Sequence, residues 1–342
     1  MLYNNKLNVV QFLLEVFLEF IGFIEAYMRF IILMSCFFVF AYSAQAKECV
    51  YINSYHAGYA WSDKIEATVK DKLQGICNIH VFRMDTKRHT SEQFGRQKAL
   101  EAKALIEKIK PDVVIASDDN ASKYLVAPYY KNSSIPFVFC GINWTAKAYG
   151  YPYDNATGMI EVSPIKALLR EARLAVGEVK QVAFIASKGV RTDEKEFSWM
   201  SRMYARQGIT VIPFYVDSMQ AWKSAYNEAQ SSDFIVLNNV AGIAHWDKEK
   251  ITDYVKHHAN KLTVTTYDFM TPYTMLAMTK IAEEQGEWAS DVAIHILQGE
   301  SPKNIPVVAN RRYNLYINTA ILDVSPVQLS DRLYFKAIKV QQ

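Results

Sequence analysis

The sequence predicts an α/β chain of two doubly wound parallel-sheet lobes joined by a hinge, with a ligand cleft between them. Three observations carry this. Short apolar runs of strand length alternate with amphipathic helical stretches through most of the chain. The connections are short, as in βαβ units whose sheet is covered on both faces. The rhythm breaks once, in the Gly-, Pro- and Tyr-rich stretch from Tyr149 to Gly158, and then resumes, which divides the chain into two similar halves.

The first half opens with Val50-Tyr51-Ile52, an apolar run of strand-type residues that gives way to Asn53-Ser54 and a turn at Gly58. From Trp61 the apolar positions Ile65, Val69 and Leu73 recur at helical spacing. A second strand covers Ile79 to Arg83. A helix follows from the N-cap Ser91, with Glu92 in its first turn, to Lys110, where Pro111 ends it. Asp112 to Ala116 reads as a buried strand, Ser117-Asp118-Asp119-Asn120 as the loop after it, and a helix continues through Tyr130. Pro136 to Phe139 is the fourth strand, closed by Cys140-Gly141-Ile142-Asn143-Trp144.

The second half reads in the same way. Helices are predicted over Pro164–Val176, Glu194–Gln207, Met219–Gln230 and Lys248–Ala259. Strands are predicted over Val182–Ala186, Thr210–Tyr215, Phe234–Leu237 and Leu262–Thr265. A last helix, Glu283–Gln298, and the run Ile305-Pro306-Val307-Val308 leave enough chain to recross between the halves. Lobe 1 is therefore expected to hold about 47–145 plus 268–300, and lobe 2 about 158–266 plus 303–320, with a hinge of two or three strands. Closure of such a hinge on a small molecule is a known use of this geometry.

Residues 1–46 stand apart. Arg29, an almost continuous apolar run from Phe30 to Tyr42, and Ala44-Gln45-Ala46 form the pattern of a secretory signal peptide cleaved after Ala46. Glu15, Glu19 and Glu25 interrupt the apolar stretch ahead of it, which is foreign to such a peptide. A start at Met28 removes them; the alternative is a membrane-associated N-terminal helix. Export places the protein in the periplasm.

Composition narrows the function. The 342 residues carry 38 basic and 35 acidic side chains, a net charge of +3, interleaved without a basic stripe, so nucleic acid is not an expected partner. Cys49 and Cys77 open consecutive strands, and an oxidising compartment permits either a disulfide between them or two buried thiols. Cys140 reads as a buried small residue.

Neither a Gly-x-Gly-x-x-Gly, a phosphate loop nor a Gly-x-Ser-x-Gly elbow is present. His257 and His258 are adjacent on a helix and point to different faces, His245-Trp246-Asp247 is more simply a helix cap, and His56 has no nucleophile placed beside it by the sequence. No enzyme activity, cofactor or metal site is expected.

The segments Tyr51–Asp63, Ser117–Ala121, Ile135–Asn143, Thr157–Glu161, Glu284–Ala289, Leu297–Pro302 and Tyr316–Ala320, taken in order and spacing, resemble the ABC-transporter substrate-binding proteins of periplasmic binding protein type I architecture. The resemblance spans nearly all of 47–342. It implies a monomeric extracytoplasmic receptor that binds a small, amino acid-like ligand and hands it to a permease, or that reports it to a membrane sensor kinase or cyclase.

Strand-end geometry together with this resemblance selects Ser54, Tyr55, Trp61, Asp118, Asp119, Asn120 and Asn143 as ligand-binding residues of the first lobe. Glu161 comes from the crossover, Ser187, Asn238 and Asn239 from the second lobe, and Tyr267 and Asp268 from the return of the chain. Helix capping competes for Asp118 and Asp119, and a turn role for Asn238 and Asn239.

Overall fold

The structure, a computed structural model, describes residues 46–341 together with 17, 18, 20–25, 27–29 and 31. Met1–Ala46 and Lys47–Gln342 are separate compact units. The described residues of the first unit before Ala46 are helical, with Phe23 and Tyr27 exposed. Most of the expected apolar core and cleavage site, 32–45, lies outside the described residues. Among the described residues no helix is long and apolar enough to cross a membrane.

In the second unit, β1 (Lys47–Asn53), β2 (Cys77–Arg83), β3 (Val113–Ser117), β4 (Phe137–Asn143), β5 (Ala156–Glu161) and β11 (Val308–Ala309) form one sheet in the order β11-β5-β4-β3-β1-β2, every pair parallel. The other sheet holds β6 (Gln181–Ser187), β7 (Thr210–Val216), β8 (Phe234–Leu237), β9 (Leu262–Thr265), β10 (Leu276–Lys280), β12 (Tyr313–Asn318) and β13 (Ile338–Val340). Its order is β13-β12-β10-β9-β8-β6-β7, with β10 and β12 antiparallel. Central strands β3, β8 and β9 are buried at every position, which is why they read as unbroken apolar or small runs. Pro213 pairs with Phe184 on β7, an edge strand, where a missing N–H leaves no ladder partner unsatisfied.

The helices follow their local signals. In Glu92–Ile109 the Ser91 hydroxyl accepts the Phe94 N–H at 3.3 Å, and Ala99, Ala102 and Ile106 line the buried face. Lys110 ends this helix in a left-handed conformation, φ 54°, just before Pro111. Helix Ala282–Leu297 lies against Ala60–Leu73 so closely that a Cβ on Gly286 would stand 2.8 Å from the Ile65 carbonyl oxygen. Cys49 and Cys77 are joined by a disulfide, Cα to Cα 5.9 Å, across a separation of 28 residues. Closing a loop of that size stabilises a fold by about 3.6 kcal/mol on the chain-entropy account.

Three segments carry the chain between the sheets: β5 into helix Ile165–Val176, β10 into helix Ala282–Leu297, and β11 into β12. They are tied to each other. Asn310 accepts the Val162 N–H at 2.6 Å and donates to the Val162 carbonyl at 3.1 Å. Glu284 accepts the Arg311 and Arg312 amides at 2.9 and 3.0 Å.

Three sequence expectations change here, one of them within 303–320, where Val308–Ala309 pairs with β5 in the first sheet and not in the second. The stretch Tyr149–Gly158 is not all linker, because Ala156-Thr157-Gly158 opens β5 and pairs with β4. Within 268–300, Leu276–Lys280 hydrogen-bonds β9 and belongs to the second sheet, while the helix after it packs on the first. Gly158, the last residue of that stretch, lies within β5, where the Phe139 ring and carbonyl leave no space for a side chain.

Candidate functional site

Parallel strands bring their carboxyl ends to one edge of each sheet, and the two edges face each other. Contacts across the gap show this directly. Lys195 Nζ of helix Arg191–Ala205 lies 4.0 Å from Asp119 of the first lobe. Trp144, just after β4, stacks on Trp199 of that helix with ring centres 5.4 Å apart.

In the first lobe the loop after β1 is built by its own polar residues. Asn53 Oδ1 accepts the Tyr55 N–H at 2.8 Å, a turn that Asn favours, and Gly58 N–H donates to Asp63 at 2.8 Å. Gly58 has φ 95°, a conformation open to glycine at no steric cost. Ser54 is fully buried: its hydroxyl donates to the Ser117 carbonyl at 2.6 Å and accepts the Ala121 amide at 2.7 Å. It joins two rim loops. Tyr55 packs edge-on against Tyr59, ring centres 5.2 Å apart, with Lys87 Nζ 5.3 and 5.0 Å from the two rings. Trp61 is half-buried and its indole N–H has no partner.

Asp118 sits at φ 68° with its carboxyl buried against the Ser117 hydroxyl at 2.7 Å. Burial pushes its pKa well above the usual carboxylate range, against the Ser117 hydrogen bond. Asp119 gathers Asn143 Nδ2 at 2.8 Å and the Tyr149 hydroxyl at 2.6 Å. Asn120 donates to Thr86 Oγ1 at 2.8 Å, and Thr86 holds the Ser54 carbonyl. Asp119 and Asn143 therefore meet, whereas Asn120 joins the Ser54 network.

In the second lobe Ser187 and Asn239 converge on Asp193. Ser187 N–H donates to Asp193 Oδ2 at 3.2 Å, Asn239 Nδ2 to Oδ1 at 3.3 Å, and Asn239 Oδ1 accepts the Ala241 amide at 2.8 Å, a turn role. Asn238 is fully buried with neither side-chain polar atom partnered. Asp268 is exposed and accepts the Phe269 N–H, so it shapes a turn away from the buried cluster.

Burial pushes Asp193 up to about 6, against its hydrogen bonds from Asn239 and Ser187. A carboxyl that binds its proton more tightly folded than unfolded loses stability as pH rises, here between about 4 and about 6. Asp193→Asn is expected to raise the melting midpoint at pH 7.5, by roughly 1–3 kcal/mol of stability, and to leave it unchanged at pH 4. An equal shift at both pH values, read by thermal melts, would contradict that origin.

The centre of the cleft is formed by residues that the sequence reading did not bring together. Glu161, at the end of β5, hydrogen-bonds Lys280 Nζ at the end of β10, both side chains nearly buried. The ammonium lies 5.6 Å from the Trp61 ring centre and 5.3 Å from that of Tyr267. Burial opposes the charge on Lys280, but Glu161 and Glu196 outweigh it and hold the lysine above its ordinary pKa. Glu196 is 2 % exposed, held by Ser163 Oγ at 2.9 Å and Thr266 Oγ1 at 3.1 Å, and burial raises its pKa. Lys280 and Glu196 were missed because neither follows a recognisable motif. The one signal was a lysine ending the run Leu276-Ala277-Met278-Thr279.

The family model for ABC transporter substrate binding proteins matches residues 62–341. The chain belongs to the ABC transporter substrate-binding protein family. Solved structures share its fold. An ABC domain in complex with L-Trp from Streptococcus pneumonia is 15 % identical with a TM-score of 0.58, covering 87 % of this chain and 100 % of that one. The ligand-free, open structure of a substrate-binding protein with adhesive properties from Clostridium difficile is 12 % identical with a TM-score of 0.66, with coverages of 87 % and 100 %. A leucine-binding protein from Thermotoga maritima is 11 % identical with a TM-score of 0.51, covering 74 % and 83 %. No curated protein sequence matches the chain. As a member of this substrate-binding, non-enzymatic type of family, the protein has a ligand-binding role, carried on the type I periplasmic binding fold.

Proposed function

We propose that this protein is the extracytoplasmic receptor of an ABC import system, closing its lobes on a small amine-bearing organic ligand and delivering it to a membrane permease. The observation that carries this is the cleft centre, where Trp61 of one lobe and Tyr267 of the other flank Lys280, with Glu161 and Glu196 beside it. Aromatic walls with a few placed charges suit a small organic molecule better than an inorganic ion. The pneumococcal neighbour holds L-Trp and the Thermotoga neighbour is a leucine-binding protein, so amino acids are the first class to test. The signal-peptide pattern of Arg29 to Ala46 favours export to the periplasm.

The test is a thermal-shift screen against amino acids, short peptides, nucleosides and sugars. A ligand at a hundred times its dissociation constant adds about 2.7 kcal/mol, a clear rise in midpoint. Trp61→Ala is expected to weaken that ligand at least tenfold. A ligand unaffected by Trp61→Ala and Tyr267→Ala would move the site elsewhere. Deleting the gene is expected to abolish uptake of the ligand. Intact uptake with a lost transcriptional response would instead identify a sensor that reports the ligand to a membrane kinase or cyclase.

A further inference from the structure

Four carboxyl side chains on the two rims and the hinge are almost completely buried: Asp118, Glu161, Asp193 and Glu196. Each is within electrostatic reach of the next. Asp118 feels Glu161, Glu161 acts on Glu196, and Glu196 acts on Asp193, so the series runs across the cleft from one lobe to the other. Only Glu161 is neutralised by an ion pair, from Lys280. Among the described residues Asp118, Asp193 and Glu196 form no ion pair; their bonds come from hydroxyl, amide and backbone N–H donors.

Two further features point to an occupant. Asn238 is 0 % exposed and both its polar atoms lack a partner. Its strand pairs in parallel with β9 at Val236 and Val264, and continuing that register sets Asn238 beside Thr266, whose hydroxyl faces Glu196. Continued past the ends of the two strands, that register would put the Asn238 side chain on the same side of the sheet as that of Thr266. The lysine already present shows what the aromatic walls accept, because its ammonium lies against Trp61 and Tyr267 at cation–π distances.

We infer that the cleft selects a ligand with a net positive charge, an amine or quaternary ammonium without a compensating carboxylate, whose cation lies against Glu196, Asn238 and the Tyr267 ring. This rests on the reading of the cleft as the ligand site and narrows its ligand class. Lys280 remains on Glu161. A ligand carboxylate, as in a zwitterionic amino acid, would have to be buried beside three carboxyls that among the described residues have no ion-pair partner. An incoming cation would instead give Glu196 the direct ion-pair partner that Lys280 gives Glu161.

The experiment is calorimetric titration of the purified protein with three compounds that share one ring and differ in charge: tryptamine, L-tryptophan and indole-3-propionate, with putrescine and choline as cations lacking the ring. The expected result is that at least one of the three cations binds, at least tenfold tighter than L-tryptophan, and that indole-3-propionate does not bind. Glu196→Gln is expected to weaken that cation at least tenfold. The wild-type ranking decides the matter even where this variant does not fold.

Tighter binding of L-tryptophan than of every cation, lost in Trp61→Ala, would overturn the charge inference and leave the cleft reading standing. A cation affinity unchanged in a folded Glu196→Gln protein would also overturn it. Failure of all five compounds would overturn it as well. The cleft reading falls only if the wider screen of amino acids, peptides, nucleosides and sugars is also blank.

Discussion

Replacing Lys280 by methionine is expected to destabilise the protein by about 3–5 kcal/mol, the range found when one partner of a buried ion pair is removed. Methionine keeps the length and apolar contacts of the lysine stem, so the loss reports the charge. Glu161 is 7 % exposed, and Lys280 is the one cation paired with it among the described residues. Without that ammonium the Glu161 carboxyl must either stay charged in an apolar setting or take up a proton. The double variant Lys280→Met, Glu161→Gln removes both charges and is expected to recover most of the loss. Urea melts of the two single variants and the double variant measure this coupling. A Lys280→Met protein within 1 kcal/mol of the parent would mean that the pair is not a buried ion pair in solution. The same pair also joins strands that leave each sheet for the other lobe, so its removal is expected to loosen the hinge as well as the cleft.

Gly158→Ala is the second large effect. An added Cβ would stand 2.2 Å from Phe139 Cδ2 and 2.3 Å from the Phe139 carbonyl oxygen. The ring could turn only by disturbing its stack on Tyr151, ring centres 4.2 Å apart, and the carbonyl belongs to β4 and cannot turn at all. The strand must therefore shift or lose part of its pairing at Phe139, for about 3 kcal/mol or more. Denaturant unfolding with an unchanged slope and a lower midpoint is the expected signature. Gly58→Ala is the comparison: no atom stands within 4 Å of an added Cβ there, so only the strain of φ 95° is felt. Equal losses at the two glycines would show that backbone strain, and not the Phe139 contact, sets the cost.

Much of this architecture was legible because it depends on local pattern. The apolar runs at Val113 and Phe234 mark strands buried on both faces, and Ser91 and Pro111 mark helix ends, each by a mechanism acting within a few residues. Gly158 and Leu276–Lys280 were misread for the same reason. A glycine inside a strand and an Ala-, Thr- and Lys-containing strand make sense only beside Phe139 and β9, which are distant in sequence.

The candidate site divides along the same line. The sequence by itself determined which loops lie at the rims, because each follows a readable strand, and so pointed to Tyr55, Trp61, Asp118 and Tyr267, whereas Glu161 came from the family resemblance. The tertiary structure alone decided their roles. It committed Ser54 to joining two loops, used Asp119 to hold Asn143 and Tyr149, and placed Glu196 and Lys280 beside Glu161 from helices and strands far along the chain. The physical reason is range. Strand and helix signals are properties of neighbouring residues, whereas burial and charge pairing exist only once two lobes have closed around the same small volume.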